Sequence, residues 1–146
     1  MSQFSEDIAR FNSMYKLPAP TFPTLNAVGD PVARLKAFKN ILAEELEEID
    51  AVITRVELAV NQHPGTDNAA LTELADLLGD IQVYCASEMA KFGLSNDKVL
   101  EIIMQSNLSK LGADGNPIYD ERGKVQKGPN YWKPEPKLSE MIGQIT

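Results

Sequence analysis

The sequence predicts an all-α protein, a helical bundle completed by dimerisation, with a short hairpin and an extended C-terminal tail behind it. Apolar residues recur at steps of three and four over long stretches, which is the helical period. Helix-starting and helix-stopping residues bracket those stretches, and strand-like alternation is confined to short pieces after Gly112.

The first helix runs roughly from Ser5 to Tyr15, with Ile8, Phe11, Met14 and Tyr15 at helical spacing. Pro18, Pro20 and Pro23 then interrupt it and predict an extended strap. Asp30 is placed to cap a second helix whose first residue is Pro31, and Leu35, Phe38, Leu42, Leu46, Ile49, Ile53 and Val56 carry it to about Val60. Asn61 to Asn68 reads as a loop around Pro64-Gly65. A third helix follows through Leu71, Leu74, Leu77, Leu78, Ile81 and Tyr84 to about Phe92, and Gly93 closes it. Ser95 caps a fourth, which runs through Val99, Leu100, Ile102, Ile103 and Met104 towards Leu111. Beyond Gly112, Asp114-Gly115-Asn116-Pro117 is a turn, Ile118-Tyr119 and Lys124-Val125 pair around Glu121-Arg122-Gly123, and Lys133-Pro134-Glu135-Pro136 is extended. The expectation is one domain over 1–146: helix and strap to 30, helical core over 31–111, tail over 112–146. These helices carry more apolar surface than they can enclose, which predicts a homodimer, with a tetramer as a pair of dimers.

A net charge of −7 and a pI near 4.7 argue against duplex nucleic acid or an anionic membrane as partner, since both demand a basic face. Cys85 is the single cysteine, so no disulfide forms within the chain. The start lacks signal-peptide character and no apolar run is long enough to span a bilayer, so the cytoplasm is the expected compartment.

Glu44, Glu45, Glu47, Glu48 and Asp50 crowd the middle of the second helix, and Glu73, Asp76 and Asp80 follow on the third. None of them has a Lys or Arg three or four residues away. They meet one another instead, at about 0.2 to 0.5 kcal/mol per like-charge contact. The helix dipole cannot offset this, because the first cluster lies several turns past Pro31. Glu45 and Glu48 border the apolar face, and Glu73, Asp76 and Asp80 form one row beside Leu77 and Tyr84. Antiparallel packing would bring the two rows to one inward site of hard oxygen donors, which suits Mg2+ or Mn2+. A merely solvated acidic face is the competing reading, and the missing basic partners weigh against it. A di-iron bundle would need Glu-x-x-His, but the only histidine, His63, lies in the loop.

Glu44-Glu45-Leu46-Glu47-Glu48 and Glu73-Leu74-Ala75-Asp76 resemble the Glu-Glu-x-x-Glu and Glu-x-x-Asp hallmark of the all-α MazG-type nucleoside triphosphate pyrophosphohydrolases. Phe11 to Tyr15, Arg34 to Lys39, Ser106 to Lys110, Asp114 to Pro117, Gly123 to Val125 and Lys127 to Asn130 are similar to the phosphoribosyl-ATP pyrophosphohydrolase-like branch. Counting back from Ser106-Asn107, the family's second-helix aspartate falls on Asp80, three residues after Leu77 rather than after a glutamate. Two registers therefore stand: Glu73 with Asp76, or Asp80 with Asp76.

The resemblance implies hydrolysis of a nucleoside triphosphate or phosphoribosyl nucleotide between the α and β phosphates, giving a monophosphate and pyrophosphate. It implies Glu45, Glu48, Glu73, Asp76 and Asp80 as the candidate metal ligands and Glu44 as candidate general base. Asn107, Lys110, Lys124 and Lys127 are the implied phosphate contacts, with Phe11, Asn12, Tyr15 and Trp132 as a candidate base pocket. The resemblance also implies a homodimer. The alternative is a catalytically silent helical module that senses nucleotides or binds a protein partner.

Overall fold

In a computed structural model of the chain, residues 1–62 and 67–144 are described, and they form helices joined by loops, with no strand among them. The helices are α1 (Gln3–Met14), α2 (Pro31–Gln62), α3 (Asp67–Lys91), α4 (Asn96–Leu108) and α5 (Pro134–Gly143), with a 3₁₀ turn at Asn26–Val28. The all-α expectation holds. His63, Pro64, Gly65 and Thr66, the centre of the expected loop, lie outside the described residues.

Capping chemistry sets the helix starts. Ser2 Oγ accepts from the Ser5 amide at 3.2 Å. Asp30 Oδ1 accepts from the amides of Val32 and Ala33 at 3.0 and 3.1 Å, while Pro31 needs no donor at the first helical position. Ser95 caps α4. At the far ends, α1 closes with Lys16 in the left-handed region at φ 55°, its amide on Ser13 O and the Leu17 amide on Asn12 O. Gly93, at φ 71°, closes α3 in the same way with the Leu94 amide on Met89 O. The strap crosses directly over it: a Cβ on Gly93 would collide with Phe22 O, and the Thr24 amide bonds Phe92 O. Only glycine serves both needs there.

The 32 residues of α2 and the 25 of α3 form an antiparallel pair tied at both ends. Arg34, in the first turns of α2, places Nε 2.9 Å from Glu88 Oε1 near the end of α3, and Lys91 Nζ holds Oε2 of the same carboxylate at 3.0 Å. Glu88 and Lys91 are buried, so removing one member would strand charge in the interior. At the opposite end Arg55 pairs with Glu73. α1 lies on α3, where Asn12 Nδ2 donates to Ser87 O and Ser87 Oγ to Asn12 Oδ1. α4 touches α3 where Asn96 Nδ2 donates to Ala86 O, meets the start of α1 through Asp97, and packs on α5.

The C-terminal region corrects two expectations. Lys133 to Pro136 is not an extended piece followed by more tail, because Pro134 opens α5 and Pro136 also sits in its first turn, where no amide donor is missed. Leu138, Met141 and Ile142 then supply a helical apolar stripe. The expected hairpin shrinks to one antiparallel bridge, Tyr119 to Val125, closed by the Gly123 amide on Asp120 O. α4 ends at Leu108 rather than near Leu111, and Gly128 lies so close to Leu111 O that no side chain would fit between them.

Many large apolar side chains of the described residues stand open to water. Ile8, Val52, Ala59, Ala70, Leu77 and Ala86 are its buried hydrophobic residues, whereas Leu46, Val60, Leu71, Leu100, Met104 and Leu108 are all more than half exposed. No described helix is long and apolar enough to cross a membrane.

Candidate acidic site

The middle of α2 lies against the middle of α3, and five carboxylates gather there. Glu45 is buried, 7% exposed, and its Oε2 is covered by protein with no hydrogen-bond partner. Burial first, and then the charges of Glu48, Asp80, Glu44 and Asp76, push its carboxyl above the ordinary carboxylate value. Those four neighbours are exposed, so Glu45 is the floor of the cluster and the others are its rim. Tyr84, one turn beyond Asp80 on α3, shares the field: burial and then Glu45, Asp80, Glu48 and Glu44 push its phenol up.

Glu73 stands apart. Its Oε1 accepts from Arg55 Nη2 at 3.0 Å and Nε at 3.1 Å, and it is not among the charges acting on Glu45. Asp80 and Asp76, the alternative register, are the α3 acids brought to Glu45.

The residues expected to contact the rest of a nucleotide are dispersed. Lys110 Nζ donates to Asn107 Oδ1 at 2.8 Å, at the end of α4. Lys127 Nζ sits 4.9 Å above the Tyr131 ring, and Trp132 lies under Lys137 Nζ at 3.7 Å, with its carbonyl accepting from Ser106 Oγ. Lys124 is exposed on the bridged turn, its amide on Asp120 Oδ1. α4, which precedes this tail, packs on α5 and touches the end of α3. Phe11 and Tyr15 face each other on α1 with centroids 4.7 Å apart. Asn12, expected in a base pocket, is fully buried and spends both ends of its amide on Ser87.

A buried carboxylate oxygen without a donor, ringed by four more carboxylates, is what a hard divalent cation would satisfy, and oxygen donors are the set magnesium and manganese prefer. The residues fit such an ion by type. Among the described residues no three acid, histidine or cysteine side chains converge closely enough to hold one in the present rotamers, so the exposed rim side chains would have to turn inward. Tyr84 is the group here to which acid spacing gave no role, although its position four residues after Asp80 marks it as that row's next member.

No protein-family model matches the chain, and no curated protein matches it. Its structure is similar to a solved structure from Exiguobacterium sp. 255-15 provisionally named an NTP pyrophosphohydrolase, with 23% identity, 98% of this chain and 95% of that chain covered, and a TM-score of 0.51. At that identity the likeness concerns the fold, over nearly the whole of both chains.

Proposed function

We propose that the chain is a cytoplasmic, metal-dependent pyrophosphohydrolase of the MazG type, which cleaves a nucleoside triphosphate or phosphoribosyl nucleotide between the α and β phosphates. The observation that carries this reading is the partnerless, buried Glu45 Oε2 beneath the carboxylates of Glu48, Asp80, Glu44 and Asp76. Repulsion on this scale in the middle of two helices calls for a cation, and the shared fold with a protein provisionally named an NTP pyrophosphohydrolase agrees with a polyphosphate as the ligand that follows it.

Glu45, Glu48, Asp80 and Asp76 would hold the Mg2+ or Mn2+. When bound, the ion supplies positive charge for the polyphosphate oxygens and Lewis-acid polarisation at the α phosphorus. Glu44, exposed at the rim, takes the proton of the attacking water. The water oxygen bonds to the α phosphorus, the bond from that phosphorus to the bridging oxygen breaks, and pyrophosphate leaves. Glu73 is assigned to the Arg55 ion pair, where it locks the far end of the helix pair. Lys110, Lys124, Lys127 and Asn107 bind phosphate oxygens, with a second copy bringing its tail to the acids. A homodimer also covers the open apolar faces of α2, α3 and α4.

Purified protein with canonical, deoxy and damaged triphosphates, in magnesium or manganese, should release pyrophosphate and a monophosphate. Orthophosphate and a diphosphate as first products would overturn the assignment, and no turnover of any of them would favour the silent binding module.

A further inference from the structure

We propose that Ser106 and Ser109 are positioning residues for the polyphosphate contacts Asn107, Lys110 and Lys127; this rests on the hydrolase reading above. The two serines stand one turn apart at the end of α4, and between them they hold both main-chain groups of Trp132. Ser106 Oγ donates to Trp132 O at 2.9 Å, and the Trp132 amide donates to Ser109 Oγ at 3.2 Å. Ser109 Oγ donates its own proton to Ser106 O at 2.6 Å, which turns its lone pairs towards the tail. Ser106 is 3% exposed, so its bond to the tail is made away from water.

This clasp decides where the cations stand. A third bond, from the Gly128 amide to Lys110 O at 2.8 Å, lays the peptide that follows Lys127 on the one that follows Lys110, and Gly128 lies too close to Leu111 O to admit a side chain. Lys127 and Lys110 are thereby neighbours along the main chain, although a turn and the Tyr119 to Val125 bridge separate them in sequence. Lys110 Nζ already donates to Asn107 Oδ1, so one end of α4 carries Asn107 and both lysines. Two lysines on adjoining segments add repulsion to the fold, and an anion with several oxygens offsets it. Neither serine is charged, so together they fix the main chain and leave the ammonium groups free. Lys127 Nζ rests on the Tyr131 ring, a weak contact at an exposed position from which it can turn to a phosphate.

The test is Ser109→Ala, which leaves the Trp132 amide without its acceptor, beside Ser109→Thr, which keeps the hydroxyl. Emission of Trp132, the one tryptophan of the chain, reads the clasp without catalysis and should move to longer wavelength in Ser109→Ala. With magnesium and the triphosphate that wild type hydrolyses best, KM should rise about five-fold, as for one lost hydrogen bond, while kcat stays within about two-fold. The rise of Tm with magnesium should match wild type, because the acids are untouched, and Ser109→Thr should restore KM. Gly128→Ala, which pushes the tail off α4 at Leu111 O, should raise KM likewise. A KM that holds in Ser109→Ala and Gly128→Ala overturns the positioning role and leaves the hydrolase reading intact; if the emission moves all the same, the clasp only fastens α5. A KM that stays high in Ser109→Thr overturns the role as well. Wild type that turns over no triphosphate overturns the hydrolase reading and this inference with it.

Discussion

Asp97 and Glu45 are carboxylates whose surroundings move the proton in opposite directions. Asp97 accepts from Ser2 Oγ at 2.6 Å, from the Ser2 amide at 2.7 Å and from Ser5 Oγ at 2.7 Å, joining the start of α4 to the start of α1. These bonds, the Ser2 hydroxyl foremost, lower its pKa from 3.8 to about 2. Between those values the unfolded chain binds more protons than the folded one, so the stability Asp97 contributes is complete above pH 3.8 and is lost as pH falls towards 2. Asp97→Asn should lower Tm at neutral pH and flatten the acid limb of a Tm-against-pH curve; an unchanged limb would assign that limb to other carboxylates. Glu45 has the contrary surroundings, burial and like charge with no donor on Oε2, where Asp97 has its hydroxyls.

At the scale of elements, helix ends carry most of what local chemistry decides. Lys16 holds a left-handed φ of 55° at the end of α1, where a side chain costs about 1 kcal/mol relative to glycine. Lys16→Gly should therefore stabilise the chain by about 0.5 to 1 kcal/mol in urea unfolding, less whatever entropy glycine adds to the unfolded state. The same local logic made Asp30, Ser95 and Gly93 readable in the sequence, because a cap acts on residues within a turn of itself. α5 escaped it, since two prolines within Lys133 to Pro136 suggest an extended piece, although in a first turn they break nothing. Partners across helices were equally hidden. Spacing along α3 shows Glu73 with no cation, but Arg55 reaches it from α2, and Asn12 looks like a free amide until Ser87 of α3 meets both its ends. That Asp76 and Asp80 of α3 lie on the side of Glu45 was legible, because the helical period fixes faces and a short connection favours antiparallel packing, whereas the departure of Glu73 from that row was not.

On the scale of the whole molecule, Leu46 and Val60 on α2, Leu71 on α3 and Leu100, Met104 and Leu108 on α4 lie open to water, and the proposed homodimer would cover them. Light scattering at micromolar concentration should give twice the 16.1 kDa chain mass or a multiple of that; a compact monomer would contradict the homodimer. Assembly and metal then meet in one measurement. Glu48→Gln and Asp80→Asn each remove like-charge contacts around Glu45, so the metal-free proteins should be as stable as wild type or more so, by a few tenths of a kcal/mol. On the proposed reading, magnesium held only by the folded state should raise the wild-type Tm by mass action, whereas in both variants that rise should shrink and turnover should vanish. Glu73→Gln should do the reverse, losing the Arg55 pair and some stability while keeping the magnesium response. If Glu73→Gln abolished that response and Asp80→Asn spared it, Glu73 with Asp76 would be the ligand pair on α3. If every variant kept full turnover, the acids would be a solvated face and the cation site would be absent.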